Sequence, residues 1–363
     1  MRHPFHAICP YFAMFPEQFV RKHLVWSKPG DVVFDPFCGR GTTVFESLLN
    51  GRHAAGVDSN PVAVCISNAK ANPPTLERVL GRLDEIGAAR PCSRGDPVQR
   101  DPFFQACFHS STLRQLLHLR RHLHWRQRQD DCFIAAILLG CLHGESHRSS
   151  RYLSNRMPRT ISTKPAYSIQ WWKKNGCIAP ERDVFAILRR EAAIRFELDI
   201  ARLRGRVAVG DARRSWRYFP NLRDRVGLII TSPPYLDTTN FREDQWLRLW
   251  FLGGPPTALH DRGDDRHVNA ANYWEFLAEA WAGVQPLLRD KARLVVRIGG
   301  KRLDLDTARQ GLTESLRIGL GRRIRLEDAR TSATDAGQGR VFSAKGPSHV
   351  IEYDFNFVCT AHG

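Results

Sequence analysis

The sequence predicts an α/β protein: a doubly wound, Rossmann-like core interrupted by a helical, basic insertion. Three observations carry this. Residues 31–69 run strand, loop, helix, strand, helix, which is one parallel βαβ unit with its next helix. The same alternation resumes at 206. Between the two, residues 72–205 break the rhythm with helical patterns and an irregular basic stretch.

Each element has a local reason. Residues 4–26 are aromatic-rich, with helical spacing of Pro16, Phe19, Val20, His23 and Leu24. Pro29-Gly30 is a turn, and DVVFD at 31–35 is a short apolar run of the kind a buried parallel strand needs. Residues 36–41 read as a tight loop, 42–49 as a helix, 53–58 as the next strand and 61–69 as its helix. Asn72-Pro73-Pro74 opens the insertion, where 90–100 reads as loop, 110–127 and 131–143 as helices, 144–180 as irregular and 181–203 as an amphipathic helix. Strands follow at 206–209, 226–231 and 292–298, and helices at 272–287 and 305–319. Two last strands, 323–328 and 347–357, bring the count to seven, with the final one expected to be antiparallel. The domain reading is therefore a core of 1–71 and 206–363 around an insertion of 72–205.

Composition narrows the function classes. The 363 residues are 42% hydrophobic and 25% charged, which excludes disorder as the default. Lys plus Arg outnumber Asp plus Glu 54 to 37, a net charge of +17, so a polyanion is the expected partner. Nine cysteines are scattered, odd in number and never spaced CxxC, so neither a zinc site nor a disulfide framework is expected, and reduced thiols suit a cytoplasm. The longest apolar run, 133–142, is too short to span a bilayer, so no membrane role is expected.

Two motifs carry chemistry. Asp35-Pro36-Phe37-Cys38-Gly39-Arg40-Gly41-Thr42 follows a buried strand and opens a helix. Its glycines permit a sharp turn and close approach to a ligand, the helix start offers free N–H groups, and Asp58 ends the next strand where a carboxylate accepts from ribose hydroxyls. The second motif, Ser232-Pro233-Pro234-Tyr235, ends an apolar strand. Its prolines remove two N–H donors, so the loop offers acceptors to an amino group, and Tyr235 can stack on a base.

Together these motifs resemble those of the bacterial DNA amino-methyltransferases, which modify cytosine N4 or adenine N6. Phe37, Gly39 and Gly41 are similar to that family's FxGxG cofactor motif, and Ser232 to Tyr235 to its (D/N/S)PP(Y/F/W) catalytic motif. The resemblance implies a seven-stranded S-adenosylmethionine-dependent methyltransferase core. It implies cofactor contacts from Tyr11, Phe12, Asp35, Pro36, Phe37, Gly39, Gly41, Thr42, Asp58, Asn60, Asp211 and Ala212. It also implies direct methyl displacement with no metal and no cysteine adduct. Serine at the first catalytic position leans toward cytosine N4. The insertion falls between strands 2 and 3, which is not the arrangement of the family members with this motif order.

DNA contact is expected from the basic, aromatic stretch 142–175: Arg148, Arg151, Asn155, Arg156, Arg159, Lys164, Trp171, Lys173 and Lys174. Asp237, Asn240, Asp244 and Trp246 follow the catalytic loop as candidates for the base pocket, with Trp246 read first as a core or interface residue of a short helix. Two other readings stay open: an RNA guanine-N2 methyltransferase, and a DNA-binding protein that keeps the cofactor fold without turnover. A restriction or phage-defence partner fits the DNA reading. Oligomeric state and recognition sequence are not legible.

Overall fold

Val32–Asp35 (β1) is buried at all four positions, as the apolar run Val32–Phe34 requires of a strand covered on both faces. The computed structural model describes residues 2–11, 15–90, 96–236, 241–258, 270–300, 303–332, 340–343, 346–349 and 351–361. β1 pairs in parallel with His53–Asp58 (β2) and Val226–Thr231 (β4), and β2 with Arg206–Val209 (β3). Beyond β4 lie Leu288–Gly300 (β5) and Arg323–Thr331 (β6), with Ile351–Thr360 (β9) antiparallel between them. The seven-stranded order is β3-β2-β1-β4-β5-β9-β6. The chain leaves β1 toward β2 and β3, then returns to β4 on the other side. That reversal is a topological switch point, and ligands of open α/β sheets bind outside the carboxyl ends of the strands there.

The strands belong to a unit of 14–60, 201–240 and 262–363. Its helices are Glu17–His23 (α1), Thr42–Leu49 (α2), Ser215–Tyr218 (α10), Ala270–Val284 (α13) and Leu305–Leu320 (α14). Alternation along the strands builds two cores. Val32, Phe34, Ile229, Leu294 and Val296 meet Leu277 and Trp281 of α13 and Leu312 and Leu316 of α14. Val33, Leu228, Ile230 and Val295 face Phe19, Val20 and Leu24 of the α1 segment. The edge strand β6 alternates exposed and half-buried residues and carries Arg323, Arg325 and Glu327, a charged rim that discourages edge pairing.

The other unit comprises 1–13, 61–200 and 241–261. Among the described residues it holds Pro61–Ala71 (α3), Leu76–Ala88 (α4), Pro102–Cys107 (α5), Ser110–His122 (α6), Gln129–Cys141 (α7), Pro165–Lys174 (α8), Val184–Arg195 (α9), Phe241–Asp244 (α11) and Trp246–Phe251 (α12). α7 is its axis. It is buried from Asp130 to Cys141, so it needs partners all round. α3 is one of them, with the thiols of Cys65 and Cys132 each facing the other's carbonyl at 3.6 and 3.4 Å.

This explains where the expected boundaries shift. The expected core is 1–71 and 206–363, but 1–13, 61–71 and 241–261 group with the helices and 201–205 with the strands, so the first division within the βαβ segment falls at 60/61. The helix expected over 181–203 ends at Arg195, where Phe196 turns in to stack near Phe5 and Phe133. The stretch 144–180, expected irregular, contains α8. The last expected strand, 347–357, splits into a separate hairpin of Arg340–Ser343 (β7) with Gly346–His349 (β8), followed by β9. The antiparallel seventh strand itself is present.

Candidate active site

Asp35 ends β1 only 1% exposed. Its Oδ1 accepts from the Thr231 hydroxyl at 2.6 Å and from the Phe37 N–H at 3.1 Å. Thr43 donates to the Ile230 carbonyl at 2.9 Å. The glycine turn after β1 is thus bolted to the end of β4, the root of the Ser-Pro-Pro-Tyr loop. Burial pushes the Asp35 carboxyl up to about 7, against the hydrogen bonds from Thr231 and Phe37 that favour its ionised form.

The turn needs its glycines. Gly39 and Gly41 sit at φ +49° and +72°, a region costly for side chains with a Cβ. A Cβ at Gly39 meets nothing within 4 Å, so the turn opens onto free space. Gly41 begins α2 without a side-chain cap, leaving the helix start to a ligand or water. Phe37 packs back against Phe276 and Trp281, while Pro36 and Thr42 are buried.

Asp58 ends β2 beside this turn. Its two oxygens accept from the N–H of Gly39 at 2.7 Å and of Asn60 at 2.8 Å. Loss of solvation on burial lifts its carboxyl to about 6, and the two backbone donors restrain the rise. A carboxylate accepts roughly four hydrogen bonds, so Asp58 retains capacity for the two hydroxyls of a ribose. Open space at Gly39, an uncapped helix start and this carboxylate are what a nucleoside cofactor needs.

Asp211 and Ala212 follow β3. Ala212 is buried, and Asp211 caps the turn while Arg213 forks onto its carboxylate and reaches Glu279 at 2.9 Å. An adenine contact at Asp211 therefore competes with Arg213. Tyr11 is half-buried in the helical unit; Phe12, Asp237 and Asn240 lie outside the described residues. Trp246 is core, buried against Phe103, with its indole N–H donating to the Thr163 carbonyl; Asp244 holds Ser162 through its backbone.

The loop after β4 is held at both ends. Thr231 is fixed by Asp35, and Leu236 bridges to Gly300 at the end of β5. Ser232 and Tyr235 are half-buried and Pro234 is exposed. The Tyr235 phenol donates to Glu352 of β9 at 2.7 Å. No sequence signal links residues 235 and 352; only the strand order brings them together.

The basic candidates separate in the helical unit. Arg156, Lys173 and Lys174 are exposed. Arg148 and Arg159 share Glu145 at 3.0 and 3.3 Å, Lys164 pairs with Glu243 at 2.8 Å, and Arg151 with Glu191 at 3.3 Å. On α8, Tyr167 (62% exposed) and Trp171 (36%) stand one turn apart, while Trp172 points inward and donates to the Arg156 carbonyl. Asn155 is buried, its amide donating to the carbonyls of Ala106 and Cys177 and accepting from the Arg156 N–H. Here it is a brace for the chain rather than an exposed reader of bases. Asn155→Ala is expected to lower stability by about 1–3 kcal/mol, read by urea melts.

Among the described residues no cluster of His, Cys, Asp and Glu is arranged to hold a metal, eight cysteines are free, and no helix is long and apolar enough to cross a membrane.

The sheet order, with its glycine turn and paired carboxylates at the switch point, defines the class: a doubly wound, Rossmann-like α/β fold with a seven-stranded sheet. Residues 5–69 match the DNA methylase family profile. The chain is 41% identical over 59 residues to the orphan methyltransferase M.BamHII of Bacillus amyloliquefaciens, a match covering 16% of this chain and 22% of that protein. Similar solved structures include an S-adenosylmethionine-dependent methyltransferase of Methanosarcina mazei, with 7% identity, TM-score 0.37 and coverage of 97% of this chain and 100% of that one. The rRNA methyltransferase aviRa of Streptomyces viridochromogenes has 12% identity, TM-score 0.35 and coverage of 99% and 94%. TrmN of Thermus thermophilus has 14% identity, TM-score 0.32 and coverage of 95% and 48%. At such scores the fold rests on the strand order itself.

Proposed function

We propose that this chain methylates an exocyclic amino group of a base in DNA, with N4 of cytosine favoured over N6 of adenine. The observation that carries this reading is the bond from Thr231 to Asp35, which sets the Ser-Pro-Pro-Tyr loop beside the cofactor turn. The DNA methylase match over 5–69 supports it, since that span contains the turn, Asp58 and Asn60.

A ring amino group is a poor nucleophile because its lone pair is delocalised. Ser232 and the Pro233 carbonyl accept its two hydrogens, favour a pyramidal nitrogen and hold its lone pair in line. Tyr235 stacks on the base once it leaves the helix. S-adenosylmethionine supplies a methyl group on a sulfonium. Asp58 takes the ribose hydroxyls, and Asp35 keeps turn and loop in register. The exposed face of α8, with Trp171, Lys173 and Lys174, is the DNA-contacting element, together with Arg148, Arg156 and Arg159. Host modification or phage defence is the setting proposed.

Labelled cofactor offered with DNA and with RNA tests this. Label is expected in DNA as N4-methylcytosine; label only in RNA overturns the substrate. Replacing Lys173, Lys174 and Arg156 by alanine should weaken DNA binding and lower the salt slope by about 0.9 for each phosphate no longer neutralised. An unchanged slope moves the DNA surface elsewhere.

A further inference from the structure

We propose that Glu352 is a positioning residue for the base site, anchoring the Tyr235 ring through its phenol. This rests on reading 232–235 as that site. The Tyr235 hydroxyl donates to Glu352 Oε1 at 2.7 Å. Burial and the adjacent Glu352 charge hold the phenol well above its ordinary range, so it remains a donor at neutral pH.

Glu352 is itself braced. Arg297 on β5 is 6% exposed and lies over the Phe19 ring at 4.2 Å. It faces Asp354 across the sheet and forks onto it at 2.7 and 2.9 Å. Glu352 is two residues along β9, hence on the same face, and its Oε2 lies 3.4 Å from the remaining Arg297 nitrogen. One guanidinium thus serves two carboxylates. The second carboxylate is surplus to the pair, and a part-buried surplus charge costs stability unless hydrogen-bonded. The Tyr235 phenol supplies that bond and in return has its ring fixed.

Fixing the ring matters because a stacking wall that pivots lets the base leave the line of transfer, and misplacement by about 1 Å can cost roughly 100-fold. Phenylalanine stacks as well as tyrosine, so the hydroxyl is what ties this ring to β9. Nothing in the amino-group chemistry itself requires Glu352.

The test is a double-mutant cycle with Glu352→Ala and Tyr235→Phe, read by single-turnover methyl transfer and cofactor affinity, with ¹³Cζ-tyrosine NMR of each folded variant. Each single change should lower the transfer rate roughly 10–100-fold, with cofactor affinity unchanged. The double variant should be no slower than either alone. Glu352→Gln, which keeps an acceptor oxygen, should recover most of the rate. The Tyr235 resonance, assigned as the one missing in Tyr235→Phe, should shift in Glu352→Ala. Additive losses, a wild-type rate in Glu352→Ala, or an unshifted resonance overturn the proposal. If the wild-type protein methylates neither DNA nor RNA, the base-site reading fails instead, and the resonance still decides whether Glu352 holds Tyr235.

Discussion

Ser232→Ala is expected to lower methyl transfer by roughly 10²–10³-fold under the function proposed above, the cost of removing one preorganised hydrogen-bonding group from a reacting centre. Cofactor affinity should be unchanged, because the groups around that site are Asp58, the glycine turn and Asp35, which are held by Thr231 and by the backbone of Phe37, Gly39 and Asn60 rather than by the Ser232 hydroxyl. The loop should also keep its path: Thr231 to Asp35 anchors its start and the Leu236–Gly300 bridge its end. The loss should therefore appear in the rate of the chemical step rather than in binding. Single-turnover transfer and equilibrium dialysis with labelled cofactor separate the two. A transfer rate at the wild-type level removes Ser232 from the chemistry, while a parallel loss of cofactor affinity shows that the substitution disturbed the turn instead.

Much of this site is legible in the sequence because it is local. Asp35, Gly39, Gly41 and Asp58 fall within one βαβ unit, and the apolar runs at 32–35 and 53–58 place them at strand ends without further information. The Ser-Pro-Pro-Tyr loop is legible for the same reason, following VGLIIT directly. What is hidden depends on contacts between distant residues. Glu352 reaches Tyr235 only because β9 inserts antiparallel next to β5. The Thr231–Asp35 bond spans 196 residues. Asn155 has the chemistry of a base reader, and only its burial between the carbonyls of Ala106 and Cys177 shows that those groups are already used. The hairpin of β7 and β8 is hard to tell from the last strand because one continuous strand reading over 347–357 merges β8, which pairs with β7 in its own sheet, with β9 of the main sheet. α8 carries no clear helical signal because its ten residues place Tyr167 and Trp171 outward, so it lacks the apolar stripe that marks a helix packed on a core.

The two carboxyls at the switch point give the protein an unusual pH response. Asp35 is held at about 7 and Asp58 at about 6, against an ordinary value of 3.8. Both are raised, so the folded state holds protons that the unfolded chain has already released. Their contribution to stability is full below pH 3.8 and is lost as pH rises through 6 and 7. For the fully buried Asp35, a rise of roughly three units corresponds to about 4 kcal/mol. The charge on Asp58 raises Asp35 further, so the two titrate as a pair and their effects do not simply add. The free protein is therefore expected to melt higher at pH 5 than at pH 8, and Asp35→Asn to flatten that difference. Cofactor should act in the opposite sense. Ribose hydroxyls donating to Asp58 favour its ionised form, so affinity should rise with pH through about 6, by at most about tenfold per unit below that point. The melting-temperature gap between bound and free protein should then widen from pH 5 to pH 8, and Asp58→Asn should hold it constant. Calorimetry with and without cofactor at both pH values checks the pair. A gap that stays constant in the wild-type protein takes the ribose role away from Asp58, while a flat free-protein profile shows that Asp35 is ionised throughout.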